Sequence, residues 1–194
     1  MKLNKLIVAA AITICCSNLC SAQKSLELEE VLSGKLIQTK GVGAMNWMKD
    51  GERYSRLERN ETDGGMDVVA YRAKDNAREV IIPSSMFINT LTGKHIGMGR
   101  LSWSNDNDKV MIFNNTKRVW RYDTRGDYWV LSLQDGSLRQ LGKGLPESSM
   151  MFAKFSPDGT RVAYVSDNNI YVEDINSGKR TQLTHDGSRT IVNG

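Results

Sequence analysis

Phe155-Ser156-Pro157-Asp158-Gly159-Thr160-Arg161-Val162 is the third appearance of one phrase in this chain. The second is Trp103-Ser104-Asn105-Asp106-Asn107-Asp108-Lys109-Val110, and the first is Trp47-Met48-Lys49-Asp50-Gly51-Glu52-Arg53-Tyr54. The copies start 56 and 52 residues apart, close to the roughly 40–50 residues of a four-stranded propeller blade. A phrase repeated at that period means stacked units that share a core. In the third copy Pro157 sets a turn and Asp158-Gly159 closes it, while the aromatic residue ahead of the turn is expected to fill the space between blades. This motif reports fold, and Asp158 reads as a turn residue before it reads as a catalytic one.

The segments between the turns agree. Lys109–Phe113 and Arg161–Val165 are β-rich runs that each follow an Asp/Asn/Gly turn. Tyr128–Leu133, Asp135-Gly136 and Leu138–Leu141 make a hairpin, and Ile170–Ile175, Ser177-Gly178 and Arg180–Leu183 repeat it 42 residues later. Val68–Tyr71 and Glu79–Ile82, around Asp75-Asn76, make a third. Each unit is expected to supply an inner strand after the turn, a middle pair and an outer strand. The offset falls from 52 to 42, so the second unit carries 10 extra residues, within Asn114–Asp127. An insertion confined to one repeat is where such proteins place function.

Ahead of the repeats, Lys2 and Lys5, the apolar run Leu6–Ile14 and the small residues Cys20-Ser21-Ala22 form a secretory signal pattern. The run is short of the about 20 residues that span a bilayer. Signal-peptide cleavage after residue 22 is expected, ahead of a lipoprotein anchor at Cys20, whose neighbours Asn18-Leu19 fit that processing poorly. All three cysteines fall inside the leader, so a mature exported chain would rely on its core without disulfides. Removing Lys2 and Lys5 from the 26 basic residues leaves 24 against 22 acidic ones. Without a basic cluster, nucleic-acid binding has no support. Residues 23–40 read as a lead-in whose one short helix covers Ser25–Gly34, with Ser25 as cap and Leu28, Val31 and Leu32 on one face that needs something to dock on. Residues 41–194 read as strand and turn throughout. The fold expected is therefore all-β, an incomplete β-propeller preceded by one short helix. At roughly 50 residues per blade, the 172 residues after the leader make about three and a half blades, whereas closed rings have four to eight.

No catalytic constellation stands out. His95 and His185 are the only histidines and have no metal-ligand spacing, and His185 reads as a surface residue of an inter-blade turn. No Gly-x-Ser-x-Gly elbow and no phosphate-cradling loop occurs, and nothing calls for a metal or a cofactor. Asn60-Glu61-Thr62 and Asn114-Asn115-Thr116 match the glycosylation pattern but also read as ordinary loop asparagines. Trp120-Arg121, inside the insertion, has two readings. One is an exposed arginine beside an aromatic that packs on the blade. The other is a guanidinium aimed into a cavity, where its five fixed N–H donors suit a carbonyl or carboxylate.

Lys117-Arg118-Val119-Trp120-Arg121 followed by Tyr128-Trp129-Val130 resembles a propeller motif of bacterial dipeptidyl peptidase IV-like serine peptidases, of the prolyl oligopeptidase group. The likeness runs over most of residues 25–194, from Gly43-Ala44-Met45-Asn46-Trp47 to Thr190-Ile191-Val192-Asn193-Gly194. It implies the first three to four blades of an eight-bladed propeller that caps an α/β-hydrolase domain with a Ser, Asp and His triad. It further implies proteolysis that releases X-Pro or X-Ala dipeptides from peptide N-termini, a periplasmic or cell-envelope location, and a homodimer of the intact enzyme. Arg121 alone inherits a role, binding a carbonyl of the substrate's N-terminal dipeptide. Tyr122-Asp123 replaces the His-Ser pair that often follows Trp-Arg in the group. The triad, its oxyanion-hole tyrosine and the glutamate pair that binds the free amino group have no counterpart here, so this chain is expected to be inactive alone. The rival reading is a non-catalytic periplasmic binding or scaffold propeller of TolB-like type.

Overall fold

Each copy of the repeated phrase folds into the same turn. In the computed structural model, which describes residues 27–34 and 43–194, three strands end at the phrase: β1 (Asn46–Trp47), β7 (Arg100–Trp103) and β11 (Met150–Phe155). Three begin after it: β2 (Arg53–Arg59), β8 (Lys109–Val119) and β12 (Arg161–Ser166). The N–H groups of Met48, Ser104 and Ser156 donate to the carbonyls of Arg53, Lys109 and Arg161, at 2.9, 3.0 and 2.8 Å. Gly51, Asn107 and Gly159 take the positive φ that the bend requires (72°, 59° and 65°). Asp50 accepts from the N–H groups of Glu52 and Arg53, Asp106 from that of Asp108, and Asp158 from that of Thr160. The turns also touch each other. The Lys49 N–H donates to Asn107 Oδ1 at 3.1 Å, and Asn105 Nδ2 donates to the Pro157 carbonyl at 3.1 Å.

Two further strands complete each unit: β3 (Met66–Arg72) and β4 (Arg78–Ile82), then β9 (Tyr122–Ser132) and β10 (Leu138–Gln140), then β13 (Asn169–Asp174) and β14 (Arg180–Gln182). All pair antiparallel with their sequence neighbours, giving the four-stranded meanders β1–β4, β7–β10 and β11–β14. The described residues thus hold three propeller blades in sheets that do not close into a ring. One feature differs from the sequence expectation. The run after each turn is the second strand of its blade, because the short run ending at Trp47, Trp103 or Phe155 already forms the first. Residues 183–194 add no strand and fold back instead, Asn193 donating to the Asn168 carbonyl. A 3-10 turn (Ser84–Phe87) and the two-stranded β5 (Ile88–Asn89) and β6 (Lys94–His95) bridge the first and second blades.

The second blade is buried on both faces. Successive residues of a strand point to opposite sides, so Val110 and Ile112 of β8 pack with Met48, Val68, Ala70 and Ile82 of the first blade. Met111 and Phe113 pack the other way, with Val162 and Tyr164 of the third. This is why Val110–Phe113 is an unbroken apolar run rather than an alternating one. Trp103 fills the first interface as expected, its Nε1 donating to the buried Ser55 hydroxyl at 3.0 Å. Phe155 packs partly buried against the second, whereas Trp47, in the same position of the first blade, is exposed. Glu173, buried in the third blade, accepts from the Tyr164 hydroxyl at 2.7 Å and from the Gly142 N–H at 2.9 Å.

The helix α1 (Leu28–Leu32) belongs to a separate unit. It is shorter than expected and starts from Glu27, whose side chain makes no capping bond; Leu28, Val31 and Leu32 are exposed. The leader over 1–22 and the Ser25 cap lie outside the described residues, as does the lead-in over 23–40 except for 27–34.

The turn aspartates couple stability to acid. Donation from the Ser156 hydroxyl, then from the Thr160 N–H and hydroxyl, holds the Asp158 carboxyl down to about 2. Asp50 is lowered chiefly by the Glu52 N–H and Asp106 by the Ser104 hydroxyl. A carboxyl depressed in the folded state stabilises fully above its unfolded value of about 4 and loses that contribution as pH falls toward the folded one. Asp158→Ala is therefore expected to lower Tm at pH 7, and its gap to the parent chain to close between pH 4 and pH 2 in thermal melts.

Candidate functional site

The insertion of the second unit is a continuation of its central ladder. β8 and β9 each run 11 residues. The neighbouring strand β7 stops at Arg100↔Phe113, β10 reaches only Trp129, and β11 touches only Gly126. Beyond those limits Lys117↔Arg125, Arg118↔Asp123 and Val119↔Tyr122 pair with each other alone. The result is a two-stranded arm that leaves the blade, with two register irregularities between Asn114 and Arg118 at its root. Such ribbons are marginal without support, and this one is tied down at both sides of its base. Arg100 lies 4.7 Å from the Phe113 ring centre and donates through Nη2 to the Asp123 carbonyl at 2.6 Å. Gly126 lets the strands pass, because a Cβ there would meet the Phe113 ring at 2.4 Å and the Asn114 carbonyl oxygen at 2.6 Å.

Trp120-Arg121 forms the two-residue turn at the arm's tip. Trp120 holds φ at 61°, a value for which such turns ordinarily use glycine. It is 94% exposed and Tyr122 73%, so the aromatic does not pack on the blade. Arg121 is exposed as well, and it does not line the five best-formed clefts of the described residues. Among the described residues only its backbone carbonyl is engaged, by Arg118 Nη2 at 3.4 Å. Lys117, Arg118, Arg121 and Arg125 make no ion pair among the described residues. The arm thus presents four cations against one acid, Asp123.

A buried network at the root was not read from the sequence. Asp127 accepts from the Ser148 N–H through Oδ1 and from Asn115 Nδ2 through Oδ2, both at 2.7 Å. In the first blade Asp67 accepts from the Ser84 N–H at 2.7 Å and from Asn60 Nδ2. In the third, Asn169 Oδ1 accepts from the Gly187 N–H at 3.0 Å. These three side chains are 9%, 9% and 7% exposed and each stands one residue before the apolar part of the third strand. Each clasps a backbone N–H in the connection leaving its blade. The signal was present, since Asp67, Asp127 and Asn169 lie 60 and 42 residues apart, in step with the repeated hairpins.

Other sequence candidates resolve locally. Both glycosylation-pattern asparagines use their amide nitrogens internally, Asn60 toward Asp67 and Asn114 toward the Gly97 carbonyl at 2.7 Å. Ser84, Asp63 and His95 do converge, but in the wrong order for a nucleophile. The Ser84 hydroxyl donates to Asp63 Oδ2 at 2.6 Å, and His95 Nε2 lies 3.7 Å from the same oxygen. Ser84 is buried, and its hydroxyl chiefly holds the Asp63 carboxyl below the ordinary range. No group of three His, Cys, Asp or Glu side chains among the described residues could hold a metal ion.

Comparison with known proteins fits this geometry. Residues 104–194 match the model of the dipeptidyl peptidase IV N-terminal region. A probable dipeptidyl-aminopeptidase B of Aspergillus terreus is 29% identical over 181 residues, 88% of this chain and 19% of that protein. This chain carries a dipeptidyl peptidase IV-like N-terminal region. A probable dipeptidyl-aminopeptidase B of Aspergillus oryzae is 27% identical over 186 residues, covering 90% of this chain and 20% of that protein. The crystal structure of Porphyromonas gingivalis dipeptidyl peptidase 4 superposes on 86% of the chain and 22% of its own, with a TM-score of 0.65 at 22% identity, a likeness of fold. The chain spans about a fifth of the length of these relatives. The arm, the Asp127 clasp and the third blade all fall inside the matched dipeptidyl peptidase IV region.

The clasp can be tested without activity. Asp127→Ala leaves the buried Ser148 N–H without an acceptor and also frees the Asn115 amide, and is expected to cost roughly 1–3 kcal/mol. Asp127→Asn, which keeps one acceptor as Asn169 does naturally, should cost at most about half of that. Urea denaturation of the two variants beside the parent chain measures both.

Proposed function

We propose that this chain is the propeller portion of an exported dipeptidyl peptidase IV-like serine exopeptidase, and that Arg121 receives the amino-terminal end of its peptide substrate. The observation that carries this is the arm. It lifts one guanidinium clear of the blade, leaves its donors unoccupied among the described residues, and lies inside the region matched to this family. A planar fork of N–H donors suits the carbonyl of an N-terminal dipeptide. In the intact enzyme, dipeptides with Pro or Ala in second place would leave by acyl transfer through a serine nucleophile. This chain would contribute recognition and gating. Its partners in this reading are peptide N-termini and a hydrolase domain, with homodimerisation belonging to the intact enzyme. Export to the periplasm or cell envelope is supported by the leader pattern at Lys2, Lys5, Leu6–Ile14 and Ala22. The TolB-like scaffold alternative is the weaker reading, since dipeptidyl-aminopeptidase likeness extends over 88% of the chain.

Two outcomes test this reading. Purified chain is expected to leave Gly-Pro-p-nitroanilide unhydrolysed, and measurable turnover would contradict the assignment of chemistry to another domain. Titration with Gly-Pro-amide, followed by NMR of the arm, should show binding that Arg121→Ala weakens by roughly ten- to a hundredfold, the worth of one charge-assisted hydrogen bond. Equal affinity in the two proteins would remove Arg121 from the substrate.

A further inference from the structure

At the foot of the arm, between the second and third blades, lies an open pocket of about 270 Å³. Its apolar walls are Met111, Phe113, Tyr128 and Phe152, with the Phe113 and Tyr128 rings 4.6 Å apart. Two cations reach it, Arg100 and Lys154, and no carboxylate lines it. Among the described residues Arg100 donates to the Asp123 carbonyl and lies over the Phe113 ring, and it has no acid partner. Lys154 is exposed and makes no ion pair among the described residues. Burial raises the Tyr128 phenol above its ordinary value, so it stays a neutral donor at physiological pH.

Phe152 is the second observation. It holds φ at 56°, outside the usual range of a bulky side chain. It sits where the β11–β12 register shifts between Met151 and Lys154. Bulges of this kind re-aim side chains, and backbone strain of this kind collects at ligand clamps. Here the strained residue is a half-exposed ring on the pocket wall. Aromatic walls, two cations without an acid partner among the described residues, and no lining carboxylate fit one chemistry, an apolar group that carries a carboxylate.

We propose that this pocket binds the C-terminal residue of a short peptide, its side chain against Phe113, Tyr128 and Phe152 and its carboxylate between Arg100 and Lys154. The proposal rests on the reading of the chain as a peptide-recognition module and adds a second contact to it. Thr124, on the pocket wall and in β9, follows Arg121 of the tip turn by three residues. At about 3.3 Å per residue, tip and pocket lie roughly 10 Å apart, the span of an extended tri- or tetrapeptide.

The test uses the full chain and two small probes, N-acetylphenylalanine and its amide, titrated by NMR. The acid is expected to bind roughly five- to tenfold more tightly than the amide. Lys154→Gln should weaken the acid by about threefold and leave the amide unchanged. Phe152→Gly should weaken both probes without lowering Tm, because it removes a wall and relieves the strain together. Binding of neither probe, equal affinity for both, or an acid affinity indifferent to Lys154→Gln would overturn the proposal. Arg121→Ala separates this site from the arm's tip. Acid affinity should survive that substitution even where Gly-Pro-amide binding is lost, and a parallel loss of both would place the acid at the tip and refute the pocket.

Discussion

A backbone N–H leaving a propeller blade has to be satisfied where water cannot reach it, and the rest of this structure depends on how that is done. Asp67 and Asp127 accept such an N–H from the buried Ser84 and Ser148, and Asn169 accepts the corresponding N–H of the half-buried Gly187, each acceptor standing just ahead of the apolar part of its third strand. An unpaired buried donor would cost roughly 1–3 kcal/mol, comparable to a large fraction of a domain's net stability. With the clasp in place, the connection is held against its own blade and can hand the chain on to the next. Only then can the apolar faces of neighbouring blades meet in register, with Trp103 and Ser55 between the first pair and Tyr164 and Glu173 in the second.

The second blade uses its clasp for an additional purpose. Asp127 binds Ser148 on one side and Asn115 on the other, and Asn115 stands where the central ladder leaves the sheet. The same carboxylate that secures the inter-blade connection thus secures the root of the arm. Arg100 does the corresponding work from the neighbouring strand, through Phe113 and the Asp123 carbonyl. The arm is thus a projecting element whose base is held by hydrogen bonds and whose tip is open to solvent. Sites held by rigid elements keep their geometry better than sites on loops.

What could be read from the sequence followed the range of the forces involved. The Trp-x-x-Asp-Gly phrase is local: the aspartate, the positive-φ residue and the returning strand lie within about seven residues, so the blade repeat was legible at once. The outer hairpins at Asp135-Gly136 and Ser177-Gly178 were legible for the same reason. The clasps join residues 17 to 21 apart, and nothing in a turn motif points across that gap; only the spacing of Asp67, Asp127 and Asn169 did. The insertion was located correctly but read as a break between strands. Lys117 to Arg125 carries no glycine and no proline to announce a hairpin turn, because the turn position is taken by Trp120 in a glycine-like conformation. The same strained residue made the expected packing of Trp120 on the blade fail, since the turn that displays Arg121 also turns the indole to water.

The alternation along β8 has a consequence for how the protein is made. Val110 and Ile112 complete the core shared with the first blade, while Met111 and Phe113 begin the one shared with the third. A ribosome delivers these residues after the whole first blade and some 50 residues ahead of Val162 and Tyr164. The first blade thus waits with its inner face wet until β8 emerges, and β8 then leaves its own far face wet until β12 follows. Each blade acts as the temporary guardian of its predecessor and the temporary debtor of its successor. Burial of this core during synthesis therefore follows the order of the chain, through a run of four apolar residues within one strand.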